Sequence, residues 1–394
     1  MTIEAKTTET AAPRIRLGMV GGGAGAFIGG VHRMAARLDN RFELVAGALS
    51  SSAEKAQASG RELGLAEDRI YSSYKDMAIR EARLKNGIEA VSIVTPNHVH
   101  YEAAKEFLRR GIHVICDKPL TSTLADAKKL KKVADESGAL FVLTHNYTGY
   151  PMVRQAREMI ANGDLGDLRV VQVEYAQDWL TEAVEATGAK GAVWRTDPAQ
   201  SGLGGATGDI GTHAWHLCEY VTGLKVEELC AELNTFVPGR MIDDDGTAFL
   251  RLEQGAKALL SATQIAIGEA NKVNIRVYGD GGGLQWIQEN PNELRVTWGD
   301  KPEEIVCIGN NSYLGGQALW NTRTPAGHPE GFIEAFANIY RNFSLTVKAL
   351  QQGETPTENM LDFPNVNDGV RGMQFIETVV KSGYSDSPKW VKWT

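Results

Sequence analysis

The stretch Ile15-Arg16-Leu17-Gly18-Met19-Val20-Gly21-Gly22-Gly23-Ala24-Gly25-Ala26 decides the fold. Its first six residues read as a buried strand, since a short apolar run bounded by glycine suits the middle of a parallel sheet. The glycine-dense remainder fits G-x-G-x-x-A, and a helical spacing of apolar residues follows through Val31, Met34, Ala35 and Leu38. Glycines let a backbone approach a pyrophosphate closely, and a helix N-terminus offers free N–H groups and partial positive charge. The pattern alone is weak; its place between a first strand and a first helix gives it weight. A purely structural glycine turn, or one that holds a methyl-sulfonium cofactor in a methyltransferase, has a similar look.

Working outward, residues 42–49 form a second apolar strand, capped by Ser50-Ser51-Ser52 ahead of a helix through Leu63. Residues 90–94 are a third strand, running into Thr95-Pro96-Asn97, and a helix over 103–110 stops at Gly111. The strand 112–116, the segment Asp117-Lys118-Pro119-Leu120, a Lys-rich helix over 125–134 and a strand at 140–144 complete this half. Strands alternating with helices predict an α/β fold with a doubly wound parallel sheet. After residue 150 the rhythm changes. A helix over 153–160 precedes an alternating strand at 168–175. Strand-like runs then occur at 226–234, 247–252, 256–267, 273–278 and 293–298, with a glycine turn at 279–283. Long helices are expected over 331–350 and 369–380. The second half is therefore α+β with a large, mainly antiparallel sheet. The expected division is a flexible leader over 1–13, a nucleotide-binding Rossmann domain over 14–150, and a substrate-binding and oligomerisation domain over 151–394. The C-terminal helices are placed where they can pack back on the first domain.

The 394 residues are 43% hydrophobic and 23% charged, enough apolar material for a sizeable core. Lys+Arg 41 against Asp+Glu 49 gives a net charge of −8, which suits a nucleic-acid partner poorly. No run approaches the ~20 apolar residues that span a bilayer, so no membrane partner is expected. The polar N-terminus does not read as a signal peptide, and a cytoplasmic location follows. Cys116, Cys218, Cys230 and Cys307 show no CxxC spacing and are expected as buried, free structural thiols.

The tip of the second strand, where an acid usually binds adenosine ribose hydroxyls, reads Leu49-Ser50-Ser51-Ser52, and the first acid is Glu54. Serine hydroxyls suit a ribose, so NAD is the expected cofactor, with NADP kept open. Lys118 follows a buried strand at the carboxyl end of the sheet, where such sheets place ligands. Taken alone it reads equally as a surface cation. Gly204-Gly205-Ala206-Thr207-Gly208-Asp209-Ile210-Gly211-Thr212-His213 sets Asp209 and His213 at i, i+4, on one face of a helix. A carboxylate there orients an imidazole, and a helix cap beside a core histidine would give the same pattern. A metal site is not expected, because a third ligand is not evident and His216 falls on a neighbouring face.

Together these features resemble the Gfo/Idh/MocA family, of the glucose-fructose oxidoreductase and inositol dehydrogenase type. The resemblance covers nearly the whole chain after residue 14. It rests on the glycine turn, Thr95-Pro96-Asn97-His98, Asp117-Lys118-Pro119, Gly204-Gly205 with Asp209 and His213, and Gly327-His328-Pro329-Glu330-Gly331-Phe332. Two departures stand out: Asp117 where the family usually has Glu, and the absent acid after the second strand. The resemblance implies hydride transfer between nicotinamide and a secondary hydroxyl of a cyclic polyol or sugar, such as an inositol, a pyranose or an anhydrosugar. His213 is then the general base, Lys118 the donor to the reacting oxygen, and Asp209 a partner that binds a neighbouring hydroxyl and tunes both. The cofactor would be held by Gly21, Gly23, Ala24, Ala26, Phe27, Ser50, Ser51, Thr95, Pro96, Asn97, His100, Asp117 and Lys118. Asn146, Tyr147, Gln177, Trp179, Trp194, Arg195 and His328 would complete the polyol pocket, while His145, His100 and His113 read as structural, His100 lying close enough to the Thr95-Pro96-Asn97 turn to touch the cofactor as well. An NAD-dependent glycosidase working by transient oxidation, and a non-catalytic nucleotide sensor, are the alternatives. The resemblance further implies a homo-oligomer, dimer or tetramer.

Overall fold

A computed structural model describes residues 13–386 and 389–393, so residues 1–12 of the expected leader lie outside the described residues. The first sheet is parallel throughout and contains β1 (Ile15–Gly21), β2 (Phe42–Ala48), β3 (Ala90–Val94), β4 (His113–Cys116) and β5 (Phe141–Leu143). Its strand order is β2-β1-β3-β4-β5. Every residue of β3 is buried, as expected for an apolar run covered on both faces. The order reverses between β1 and β3, and the crevice at their carboxyl ends is where an open α/β sheet binds its ligand.

The helices Phe27–Leu38 and Phe332–Gln351 cover one face of this sheet, with Phe336, Tyr340 and Phe343 packed on Ile15, Leu17 and Phe42. Tyr340 ties the layers together: its hydroxyl lies 2.7 Å from His32 Nδ1 and 2.7 Å from Ser92 Oγ. The late helix thus returns to the first sheet.

The second sheet contains β6 (Leu168–Ala176), β7 (Val226–Asn234), β8 (Asp245–Leu252), β9 (Lys257–Thr263), β10 (Lys272–Gly279), β11 (Gly282–Ile287), β12 (Glu293–Trp298), β13 (Glu304–Cys307) and β14 (Val391–Lys392). Its nine strands run in the order β13-β12-β11-β10-β6-β9-β8-β7-β14. All neighbours pair antiparallel except β6 and β9, which are parallel. Burial alternates along β8, so one face points inward against the helices Thr212–Thr222 and Val366–Gly383. Asn365 caps the latter, its side chain accepting from Asn367 N while Asp368 accepts from Asn365 N.

Some details correct the sequence reading. A full strand, β11, begins inside the expected glycine turn. A side chain at Gly282 would come within 2.8 Å of Thr297 O, so glycine there serves close strand approach. The strand expected over 256–267 stops at Thr263, and the long helices are Phe332–Gln351 and Val366–Gly383. All four cysteines are free; Cys116 and Cys218 are buried, but Cys230 and Cys307 are only half-buried, on an outward strand position and a short outer strand. Among the described residues, no helix is long and apolar enough to cross a membrane.

Candidate active site

A cavity of about 1630 Å³ opens at the carboxyl ends of the first sheet and is closed on its other side by β6 and the segments around it. One wall is the glycine turn. Gly21 and Gly22 have φ of 79° and 71°, a region that favours glycine. A Cβ on Gly23 would lie 2.7 Å from Leu49 O, and one on Gly29 would lie 2.4 Å from Gly22 Cα. The helix Phe27–Leu38 therefore sits tight on the turn, and its N-cap Ala26 leaves the first N–H groups without a side-chain partner. On the same cavity, the buried Thr95 Oγ1 and Asn146 Nδ2 have no hydrogen-bond partner. A tight glycine cradle, free helix N–H groups and orphaned polar atoms fit a dinucleotide.

Gly21, Gly23, Ala24, Ala26, Phe27, Ser50, Ser51, Thr95, Pro96, Asp117 and Lys118 all line this space. Lys55 joins the two serines, and no carboxylate lines their end. Asn97 and His100 are not among the residues that line it, though Asn97 Oδ1 is buried without a partner. Asn97 Nδ2 donates to Ser201 O at 2.8 Å. Buried His100 is held between Pro119 O at 2.9 Å and Thr95 O at 2.8 Å, so both ring nitrogens brace the two loops.

At the far end Lys118 Nζ donates to Asp209 Oδ1 and to Asp209 O, each at 2.7 Å. The other carboxylate oxygen accepts from Gln264 Nε2 at 3.0 Å and lies 3.3 Å from Arg195 Nε. Burial pushes the Asp209 pKa up, but Lys118 and Arg195 outweigh it and hold the carboxyl well below its usual range. Asp209 stands in a single π turn, Thr207–Gly211, that runs into the helix Thr212–Thr222. Buried Asp243 pins this turn by accepting from Gly205 N and Thr207 N at 2.7 Å and Thr207 Oγ1 at 2.6 Å. A Cβ on Gly205 would lie 1.9 Å from Asp243 O, so only glycine lets the two chains meet.

His213, 6% exposed, stands behind the lining residues Tyr147 and Tyr175, with ring centroids 5.0 Å and 6.1 Å away. Burial, helped by Lys118 and opposed by Asp209, holds its pKa well below the usual value, so it is neutral near pH 7. Asn146, Tyr147, Gln177, Trp179, Trp194 and Arg195 line the cavity, the Arg195 guanidinium lying 4.3 Å from the Trp194 ring centroid. His328 does not: it is exposed, four residues before its helix starts, with Nδ1 3.3 Å from Pro325 O.

Sequence reasoning missed Tyr175, Gln264 and Asn271. Asn271 Oδ1 accepts from Gln177 Nε2 at 2.8 Å and Tyr175 OH at 2.9 Å, and its Nδ2 donates to Tyr147 OH at 3.1 Å. Gln177 and Gln264 meet because Ala176 pairs with Thr263 in the parallel β6–β9 ladder. That pairing has no mark in a sequence that reads as an antiparallel sheet.

Residues 15–145 match the oxidoreductase family with an NAD-binding Rossmann fold, and residues 153–285 match the GFO/IDH/MocA C-terminal domain. The chain belongs to the Gfo/Idh/MocA oxidoreductases. Residues 15–145 form an NAD-binding Rossmann domain of that family. An oxidoreductase structure from Sinorhizobium meliloti is 55% identical with a TM-score of 0.88, over 97% of this chain and 100% of that one. An inositol dehydrogenase homologue from Azotobacter vinelandii, complexed with NADH and myo-inositol, is 34% identical with a TM-score of 0.89, over 97% and 98% of the two chains. A Bacillus subtilis (strain 168) relative named as an uncharacterized oxidoreductase, YfiI, is 34% identical over 96% of each chain.

Proposed function

We propose that this family member is an NAD(P)-dependent dehydrogenase that oxidises a secondary hydroxyl of a cyclic polyol or sugar. The observation that carries this reading is the Lys118–Asp209 pair, set where the nucleotide wall meets a wall of amide, phenol and indole groups. A many-hydroxyl ring needs such donors and acceptors, and the A. vinelandii relative holds myo-inositol with NADH. NAD, when bound, supplies the acceptor for the hydride. Lys118 gives two of its three N–H bonds to Asp209, and the third is free to hold the reacting oxygen and stabilise charge developing there. His213, neutral and with Nε2 bonded to no described residue, takes the hydroxyl proton. Gln177, Asn271 and Trp179 hold the remaining hydroxyls, and Lys118 together with Arg195 keeps Asp209 ionised.

On this reading residues 14–150 bind the nucleotide and 151–394 bind substrate and a second copy of the chain, in the cytoplasm. The test is a panel of inositols, aldopyranoses, anhydrosugars and glycosides, followed at the reduced-nicotinamide absorbance with NAD and NADP in parallel. At least one cyclic polyol or sugar is expected to reduce the cofactor. Lys118→Ala is expected to lower kcat by about 100-fold or more. No cofactor reduction with any compound, or a Lys118→Ala variant with unchanged turnover, overturns the proposal.

A further inference from the structure

His145 makes a ring contact that the steps above leave unused. Its Nδ1 lies 3.4 Å from His213 Nδ1, and the two rings meet edge to face at 86°. The side chain is 1% exposed and firmly seated. It stacks on His216 with centroids 4.2 Å apart, and His216 Nε2 lies 3.7 Å from Asp368 Oδ1. The His145 carbonyl also accepts from Thr148 Oγ1 at 2.9 Å. The groups that face the two rings are His216 on the helix of His213, Lys118 after β4, Asp209 on the π turn, Tyr147 and Tyr175, and Asp368 on the last helix.

Two neutral imidazole nitrogens that face each other share one proton: one ring donates and the other accepts. If His145 donated, His213 would carry its own proton on Nε2 and have no lone pair there. If His213 donates, its Nε2 keeps the lone pair. We propose that His145 is a positioning residue, accepting from His213 Nδ1–H and so fixing the tautomer whose Nε2 takes the substrate proton. This rests on the dehydrogenase reading above.

The substrate hydroxyl proton goes to the Nε2 lone pair, the carbon–hydrogen electron pair leaves with the hydride to NAD, and the Nδ1 proton stays on His213. The cation so formed strengthens its hydrogen bond to neutral His145, as charge-assisted bonds do. Burial first, then neighbouring His216 and His213, hold His145 neutral as well.

The test reads the ring nitrogens of the full-length protein, carrying isotope-labelled histidine and bound to NADH, by NMR. His145→Asn and His213→Gln assign the signals. The expected spectrum has His213 protonated at Nδ1 and bare at Nε2; a proton on Nε2 overturns the proposal. In parallel, His145→Leu is expected to lower kcat about tenfold and move the acid limb of the kcat/KM profile to lower pH, with NADH affinity unchanged. His145→Asn, whose Oδ1 replaces the acceptor, is expected to return the limb. A limb that stays in place in His145→Leu overturns the proposal. The wild-type spectrum decides if the leucine variant does not fold. Failure of the dehydrogenase reading is seen separately, as no cofactor reduction with any polyol.

Discussion

Ser50 and Ser51 stand where an acid would discriminate between the two nicotinamide dinucleotides, with Lys55 beside them on the same cavity. A carboxylate here binds the ribose hydroxyls and repels a ribose phosphate. Its absence removes the repulsion, and a lysine amine adds attraction. Wild-type protein is therefore expected to bind NADPH as well as NADH, and Ser50→Asp to weaken NADPH binding at least about tenfold while sparing NADH. Titrating the two reduced cofactors by fluorescence checks this, and equal loss of both would sink it. This departure was legible in the sequence, as were Lys118 and Asp209, because each lies at a strand or turn with a local signature. His145 was not. Its partner is 68 residues away, and no spacing rule joins a strand end to a distant helix. His100 sits beside the lining residue Val99, but two backbone carbonyls hold its ring in the structural role its position also suggested, and His328 lies in an exposed turn away from the cavity.

At the scale of elements, the contact between the helices Phe27–Leu38 and Phe332–Gln351 carries a titratable group. His32 is fully buried, its Nδ1 bonded to Tyr340 OH and its Nε2 without a partner. Burial, opposed by Asp117, lowers its pKa to about 4. The unfolded chain titrates near ~6.5, so between that pH and about 4 the unfolded state binds the extra proton. The neutral ring's contribution is full above ~6.5 and is lost as pH falls toward 4, worth about 3 kcal/mol across the window. His32→Phe keeps the ring, leaves Tyr340 bonded to Ser92, and removes that proton site. The stability gap between pH 7 and pH 4.5, measured by urea unfolding, is expected to narrow in this variant; an unchanged gap overturns the assignment. Both helices were legible from apolar spacing and a glycine start. That they meet was less so, since their contact spans about three hundred residues of chain and depends on how the second sheet is threaded.

On the scale of the whole molecule, the second sheet has two unlike faces. The inner one is covered by the helices Thr212–Thr222 and Val366–Gly383. The outer one carries Phe249, 54% exposed and paired across the strands with Leu259, and Tyr278 opposite Val170. Polar Gln172, Arg276 and Gln285 lie between these apolar residues in the same register. An antiparallel sheet tolerates water on one face, and that alone asks for no partner. A phenylalanine, a leucine, a tyrosine and a valine at outward positions do not suit a solvated face, whereas apolar residues among polar ones suit a stable interface. We therefore propose a second copy of this chain as the occupant, giving a dimer or tetramer. Wild-type protein is expected to run as an oligomer by light scattering, and Phe249→Glu, which buries a charge within the contact, to fall to a smaller species with Lys118 and Asp209 untouched. A wild-type monomer would leave this face to solvent, and a Phe249→Glu variant of unchanged mass would place the contact elsewhere.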